Sequence, residues 1–313
     1  MTAPQESRHG LLLLNKKSGL TSFDSLNAVK RAFATGKVGH TGTLDKFASG
    51  LLLVLVGRGV KLAPLFSACD KEYTAVVLFG AETSTLDPEG EVIAQAPIPS
   101  LPDVEAVLHA FRGEILQAPP EYSAIHINGR RAHELAREGK TPDMKKRPVT
   151  IHALEITAWT PPEMTLRVRC SAGTYIRSLA RDIALAAGSR AHLSSLVRTK
   201  VGAFCLEDSV DGGSSSLSGA LRPLDRELFA ALSVSRFFID DRAAEDFAQG
   251  KPLVRLLERG SFEAACGAQE AAVFRQSASD EKGALLGMLK LRNDAWVYAH
   301  VFVNPPLRVK TNA

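Results

Sequence analysis

Residues 36–50 read Gly-Lys-Val-Gly-His-Thr-Gly-Thr-Leu-Asp-Lys-Phe-Ala-Ser-Gly, with four glycines, two threonines, one histidine and a single carboxylate, Asp45. A carboxylate in so permissive a stretch can serve as a nucleophile, hold a metal, neighbour a phosphate loop, or cap a helix. A Walker-type phosphate loop needs glycine, four residues, then Gly-Lys-Ser/Thr. Here Arg31 stands at the first glycine position and Val38 at the hydroxyl position, so the pattern fails twice. No Gly-x-Gly-x-x-Gly follows a strand, which leaves a nucleotide cofactor without support. No second cluster of carboxylates or imidazoles lies near Asp45 in sequence, so a metal site is not indicated. Two further segments carry chemistry-bearing groups. "KEYTA" places Tyr73 at the start of a strand, and "CSAGTYIRSLARDI" places Arg177 in the first turn of a helix beside Tyr175. Taken singly, Asp45 reads as a helix cap, Tyr73 as a core ring and Arg177 as a surface cation.

The elements that must position these groups follow from periodicity. "GLLLLNKKSGLTS" predicts a short buried strand and then a turn at Ser18-Gly19. "SFDSLNAVKRAFA" has Phe23, Leu26, Val29, Ala32 and Phe33 at helical spacing, capped by Thr21 or Ser22. "LLLVLVG" predicts a second buried strand or a short apolar segment. "KEYTAVVLFG" and "EVIAQAPI" flank the turn signal "TSTLDPEG" and predict one antiparallel hairpin. "PDVEAVLHAFRG" predicts a capped helix, "LEITAWTPPEMTLRVRCSAG" two strands around a Pro-Pro turn, and "TYIRSLARDIALAAG" a helix ending at Gly188. "DGGSSSLSG" reads as a flexible link, followed by a short helical piece near "LDRELFAAL". From about residue 236 the pattern changes to short strands and turns, "EDFAQGKPL" and "LLGMLKLRNDAWVYAHVFV" among them. The expectation is a mixed α+β fold with a mainly antiparallel sheet flanked by helices, over residues 1–235, and a small β-rich C-terminal domain over 236–313.

The composition is that of an ordinary globular chain: 313 residues, 45% hydrophobic and 23% charged. The net charge is +4, mild basicity that suits an anionic partner. Residues 1–61 carry nine Lys or Arg against Glu6, Asp24 and Asp45, and residues 126–148 carry seven against Glu134, Glu138 and Asp143. The four cysteines are far apart, with no Cys-x-x-Cys, which argues against a zinc ribbon or disulfide framework and for a reducing cytosol. The N-terminus has no signal-peptide layout and no apolar run is long enough to span a membrane, so a cytoplasmic protein is expected.

In chain order, "LNKKSGLTS", "KVGHTGTLDKFASGLL", "KEYTA", "PPEYSAIHINGRRAHELAR", "GTYIRSLARD" and "AHLSSLVRTKVG" resemble the TruB family of tRNA pseudouridine synthases over about residues 10–230. The chain departs from the family pattern at Lys17, where proline is usual, at His126, where lysine is usual, and at His133, where tyrosine is usual. The resemblance implies isomerisation of uridine 55 in the T loop of tRNA, with no cofactor and no metal. It implies Asp45 as the nucleophile; attack at ribose C1′, attack at uracil C6 and a glycal route all stay open. It implies Arg177 as the ion-pair partner that keeps Asp45 charged. Tyr73 resembles the family's stacking residue, with a hydroxyl that could take the C5 proton. His40 resembles the residue that fills the space a flipped base vacates, and Lys16, Tyr175 and Leu196 resemble further pocket residues. Gly39, Gly42 and Gly50 would let the loop approach a nucleotide closely.

The same resemblance makes the basic segment at about 121–150 an insertion that grips the T stem-loop. Arg130, Arg131, Lys145, Lys146 and Arg147 are its candidates for the RNA backbone, and "RRAHELARE" within it reads as a helix. The C-terminal part resembles a small PUA-like RNA-binding domain. The expected partner is tRNA, bound by a monomer that needs no obligate protein partner. A synthase acting on another RNA, as in guide-RNA-dependent relatives, and an RNA-folding module with incidental catalysis are the competing readings.

Overall fold

The computed structural model describes residues 9–123, 126–127, 130–131, 138, 144–213, 217–265, 267–276 and 285–302. Its larger part is one mixed, mainly antiparallel sheet. Three strands precede Asp45 or follow it directly: β1 (Gly10–Lys16), β2 (Val38–Thr41) and β3 (Ser49–Val56). After them come β4 (Lys71–Phe79), the short pair β5 (Ala81–Thr83) and β6 (Val92–Gln95), β7 (Gly113–Gln117), and the small pair β8 (His126–Ile127) and β9 (Arg130–Arg131). The chain continues through β10 (Arg147–Thr160), β11 (Glu163–Cys170), β12 (Ala191–Val201), β13 (Phe204–Cys205) and β14 (Val210–Asp211). The main sheet runs β14-β1-β3-β12-β4-β11-β10-β7, with β2 on β3 and β13 on β12.

The leucine runs of β1 and β3 have a simple origin. Leu12, Leu14, Leu52, Val54 and Val56 face α1 (Ser22–Phe33), which buries Leu26, Val29 and Phe33 against them. The alternate residues Leu11, Leu13, Leu51, Leu53 and Leu55 face the opposite cluster, which contains Phe66, Phe204, Phe229, Phe274, Met288 and Phe302. A strand covered on both faces reads as a continuous apolar run rather than an alternation. β4, in contrast, alternates: Tyr73, Ala75, Val77 and Phe79 point into a cluster with the helix Ile176–Ala186, while the residues between them are half-buried.

Among the described residues four helices flank the main sheet. Besides α1 there are α2 (Ala63–Ser67), α3 (Leu101–Leu108) and α4 (Ile176–Ala186). Thr21 caps α1 through a reciprocal capping box with Asp24, and Ser100 does the same for α3 with Asp103. Gly188 takes φ +71° just beyond α4, as expected for the residue that stops that helix.

A second, five-stranded sheet follows α5 (Arg226–Ala231). It comprises β15 (Ser235–Ile239), β16 (Ser261–Glu263), β17 (Glu270–Arg275), β18 (Leu285–Arg292) and β19 (Ala295–Val301), ordered β16-β15-β17-β18-β19. Its Ala272, Phe274, Met288 and Phe302 share one core with β1 and β3.

Two sequence expectations are corrected. "KEYTAVVLFG" and "EVIAQAPI" do not form a hairpin with each other. β4 pairs with β11 and β12, and the hairpin joins β5 to β6, because the chain breaks at Gly80 (φ +101°) before reaching the turn. "EDFAQGKPL" is not a strand. It spans the end of α6 (Asp241–Ala248), a turn at Gly250 and the start of α7 (Leu253–Leu257). Asp240 caps α6, and Ala243, Ala244 and Phe247 form its buried face, a spacing that belongs to a helix. Of the helix expected at "RRAHELARE", Arg130 and Arg131 instead form β9, while residues 132–137, His133 among them, and the centre of the link at 214–216 lie outside the described residues.

Candidate active site

Asp45 lies in the segment joining β2 to β3, and no helix follows it, so it is not a helix cap. The chain there is held on both sides. Ser22, the first residue of α1, donates its hydroxyl to the Leu44 carbonyl at 2.9 Å and accepts the Leu44 N–H at 2.8 Å. Ser18 Oγ donates to the Phe47 carbonyl at 2.7 Å, and Gly19 N–H to the Lys46 carbonyl at 2.8 Å. Lys16, 1% exposed, donates its ammonium to the carbonyls of Ala48 (2.6 Å), Lys17 (3.1 Å) and Lys46 (3.4 Å). The turn between β1 and α1 thus grips the loop just before and just after Asp45. Gly50, the second residue of β3, has φ +103°, and a Cβ there would lie 2.4 Å from the Arg198 carbonyl oxygen, so only glycine fits.

Arg177 is the second residue of α4 and is almost fully buried. Its Nε donates to Asp45 Oδ2 at 2.9 Å and its Nη2 to Asp45 Oδ1 at 3.1 Å, a bidentate pair. Nη2 also donates to the Tyr122 carbonyl at 3.0 Å. Nη1 donates to the Thr85 carbonyl at 2.7 Å and to Asp87 Oδ2 at 3.2 Å. A guanidinium has five N–H groups, and here five oxygens receive them. Asp87 comes from the loop between β5 and β6, is 3% exposed, and is itself fixed by the Glu89 N–H at 3.0 Å and the Thr85 hydroxyl. Asp87 escaped the sequence reading because "TLDPEG" carries an ordinary turn signature; its burial is what sets it apart. Gln117, also unanticipated, locks the start of α4 with a reciprocal pair. Its Nε2 donates to the Tyr175 carbonyl at 3.1 Å, and its Oε1 accepts the Tyr175 N–H at 2.8 Å.

An apolar wall adjoins the carboxylate. Tyr73 and Leu196, brought together by β4 and β12, share a cluster with Leu44, Ala48 and Ile176, the neighbours of Asp45 and Arg177. The Asp45 side chain keeps 37% of its surface open, whereas that of Arg177 keeps 4%. His40 lies on β2 with a buried Nδ1 that has no hydrogen-bond partner among the described residues, and Tyr175 is half-buried. Arg198 on β12 was also unanticipated. It is 1% exposed and donates to the carbonyls of Leu51 and Gly42.

The electrostatics of the site are set mainly by burial. Desolvation raises the Asp45 carboxyl above the ordinary aspartate value, and Arg177 pulls it back. Burial also pushes the Tyr73 and Tyr175 phenols up, so both are protonated at neutral pH. Burial and then the Arg198 charge push His40 down, leaving it neutral. Burial lowers Lys16 to about 8, against the opposing pull of Asp45. The result is an ion-paired, half-open carboxylate beside an apolar wall with a protonated tyrosine, an arrangement suited to nucleophilic attack on a planar ring or its attached sugar.

Lys145, Lys146 and Arg147 are exposed at the start of β10, and Arg130 is exposed with its guanidinium on the Glu138 carboxylate. Arg131 lies in β9 and His126 in β8, but their side chains fall outside the described residues. Among the described residues no group of three His, Cys, Asp or Glu could hold a metal ion, and no helix is long and apolar enough to cross a membrane.

The architecture matches solved pseudouridine synthases. A Cbf5–Nop10–Gar1 complex superposes with a TM-score of 0.70 at 23% identity, covering 97% of this chain and 88% of that one. An archaeal box H/ACA Nop10–Cbf5 complex gives a TM-score of 0.69 at 23% identity, covering 97% and 90%. These likenesses define the class of fold, a pseudouridine synthase. At the level of sequence, residues 30–176 match the TruB family pseudouridylate synthase N-terminal domain. The chain is 48% identical over 204 residues to tRNA pseudouridine synthase B of Borreliella burgdorferi strain ZS7, covering 64% of this chain and 72% of that protein. It is 41% identical over 254 residues to the tRNA pseudouridine synthase B of Francisella philomiragia, covering 80% and 79%. The chain belongs to the TruB family of pseudouridine synthases and is an isomerase.

Proposed function

We propose that this enzyme converts uridine 55 in the T loop of tRNA to pseudouridine, with Asp45 as the nucleophile. The observation that carries the reading is the half-open Asp45 carboxylate held on both oxygens by a buried arginine beside the Tyr73–Leu196 wall. Pseudouridine formation breaks the bond from ribose C1′ to uracil N1, turns the base over, and joins C1′ to C5. The hydrogen leaves C5 and N1 gains one, so no oxidant or cofactor is consumed.

A uridine inside a folded loop must first leave its stack, at a cost of a few kcal/mol. Tyr73 and Leu196 offer apolar faces to the extruded base, and stacking on an aromatic ring returns about 1–3 kcal/mol. Tyr175 forms a further wall, and His40, neutral and only partly buried, takes up the space left in the RNA. Arg177 keeps Asp45 anionic against the desolvation that raises its pKa. Tyr73 is the candidate to take the C5 proton, a step for which its phenol must first lose its own proton to solvent, since burial holds that proton on in the resting site. Lys16, with its ammonium spent on three carbonyls, supports the ring site by holding the Asp45 loop.

Arg130, Arg131, Lys145, Lys146 and Arg147 contact phosphates of the T stem and set the register of the RNA, while base contacts select the target. Residues 1–235 serve as the catalytic domain and 236–313 as a small PUA-like domain. The enzyme works in the cytoplasm as a monomer, without guide RNA or protein partner.

The test is to incubate the purified chain alone with unmodified tRNA transcripts and map pseudouridine. Conversion at position 55, abolished in Asp45→Asn with tRNA binding nearly intact, is expected. No conversion without a guide RNA or accessory protein, or conversion at another site, overturns the proposal. Full conversion by Asp45→Asn removes the nucleophile assignment, and tRNA refolding without conversion identifies a folding module instead.

A further inference from the structure

Arg198 is among the largest fully buried side chains of the described protein, at 1% exposure. It stands on β12 where that strand pairs with Gly50 of β3 on one side and Tyr73 of β4 on the other. Its Nε donates to the Leu51 carbonyl at 2.8 Å and its Nη2 to the Gly42 carbonyl at 3.0 Å. Gly42 and Leu51 bracket the segment that carries Asp45, so one guanidinium ties its two ends together. The main chain reinforces the tie: Gly50 lies flush against the Arg198 backbone, with no room even for a Cβ.

A buried cation is expensive unless its charge and donors are used. Besides the carbonyls of Leu51 and Gly42, the Arg198 guanidinium hydrogen-bonds the Tyr73 side chain, and none of these partners is a carboxylate. Its charge instead reaches the site around it, where it bears on His40, Tyr73 and Lys16. The turn between β1 and α1 holds the middle of the loop, at Leu44, Lys46, Phe47 and Ala48. Only Arg198 among the described side chains donates to both Gly42 and Leu51.

We infer that Arg198 is a positioning residue for the nucleophile: its guanidinium closes the 42–51 loop at its two ends and so fixes where the Asp45 carboxylate meets the ribose–uracil unit. This rests on the pseudouridine-synthase reading above. The planar fork matters, because its two donors point to two separate acceptors; a lysine ammonium is a single centre and cannot reproduce that reach. The side chain makes no demand on RNA binding, since it is sealed from solvent.

The experiment compares wild type, Arg198→Met and Arg198→Lys by single-turnover kinetics and by binding of a T-arm hairpin, below the melting temperature of each variant. The methionine keeps the bulk and removes the donors. Expected is a fall in kcat of about 100-fold, the loss that a misplacement near 1 Å brings, with the hairpin Kd within about threefold of wild type. Arg198→Lys should recover part of the rate without reaching wild type. A folded Arg198→Met with wild-type kcat, or with its whole loss in Kd or KM, overturns the inference. If Arg198→Met does not fold, Arg198→Lys decides by the same criterion, and wild-type kcat there overturns it. Wild type that makes no pseudouridine sinks the functional reading itself, whereas active wild type with an equally active Arg198→Met sinks only the role of Arg198.

Discussion

Replacing Arg177 by lysine keeps one positive charge and removes the fork. In the native site the guanidinium serves five oxygens: both of Asp45, one of Asp87, and the carbonyls of Thr85 and Tyr122. An ammonium has three N–H donors on one atom, so at least two of the five contacts are lost. Hydrogen bonds to charged groups are worth about 1.5–3 kcal/mol each, which puts the loss at about 3 kcal/mol or more. If that loss falls on the step in which Asp45 attacks, kcat drops by about 100-fold, since 1.36 kcal/mol is tenfold in rate. The buried position adds a second effect. Asp87, 3% exposed, is left with a weakened partner, so the variant also melts earlier. The assay is release of label from a C5-tritiated uridine in a T-arm hairpin, under single turnover. A folded Arg177→Lys within threefold of the wild-type rate would show that the bidentate pair does not hold the nucleophile in its working state.

Other expectations are as direct. The pH dependence of kcat should be bell-shaped. Burial raises the Asp45 pKa, so activity lost on acidification disappears at a higher pH than an exposed aspartate would give. Lys16, lowered to about 8, gives up a proton and one of its three loop contacts as the pH climbs through that value, so the rate declines there. A plateau unbroken to pH 9.5 refutes the role of Lys16. Changing Lys145, Lys146 and Arg147 together to alanine should weaken T-arm binding and flatten its dependence on log salt by up to about 3, one per lost phosphate contact. An unchanged slope removes the segment from the interface. Phe274→Ala should cost about 3–5 kcal/mol in equilibrium denaturation, because the ring is fully buried in the core shared with β1 and β3. A cost below about 1 kcal/mol would mean that the second sheet adds little to that core.

The sequence pointed to the Asp45–Arg177 pair better than to the scaffolding around it. Asp45, Tyr73 and Arg177 sit in motifs whose order marks the family, and the structure brings Asp45 into contact with Arg177 across 132 residues of chain. The two leucine runs were readable as buried strands, because continuous apolarity signals cover on both faces. What covers them was not readable, since Phe274, Met288 and Phe302 lie more than 200 residues away. Asp87, Gln117 and Arg198 were invisible for a different reason. Each is a polar residue whose local context is ordinary, and only burial with named partners separates it from a surface residue. The helix Asp241–Ala248 was missed because its apolar face is only three residues wide and its ends merge into a glycine turn.

The shared core has a consequence for the order of events in synthesis. The strand that leads out of the Asp45 loop is closed on its far face by Phe274, Met288 and Phe302. A nascent polypeptide that has emerged only as far as the last strand of the main sheet has Phe66 and Phe204 against Leu11, Leu13, Leu51, Leu53 and Leu55 but still lacks Phe274, Met288 and Phe302. The packing behind that strand is therefore completed only after β18 has left the ribosome.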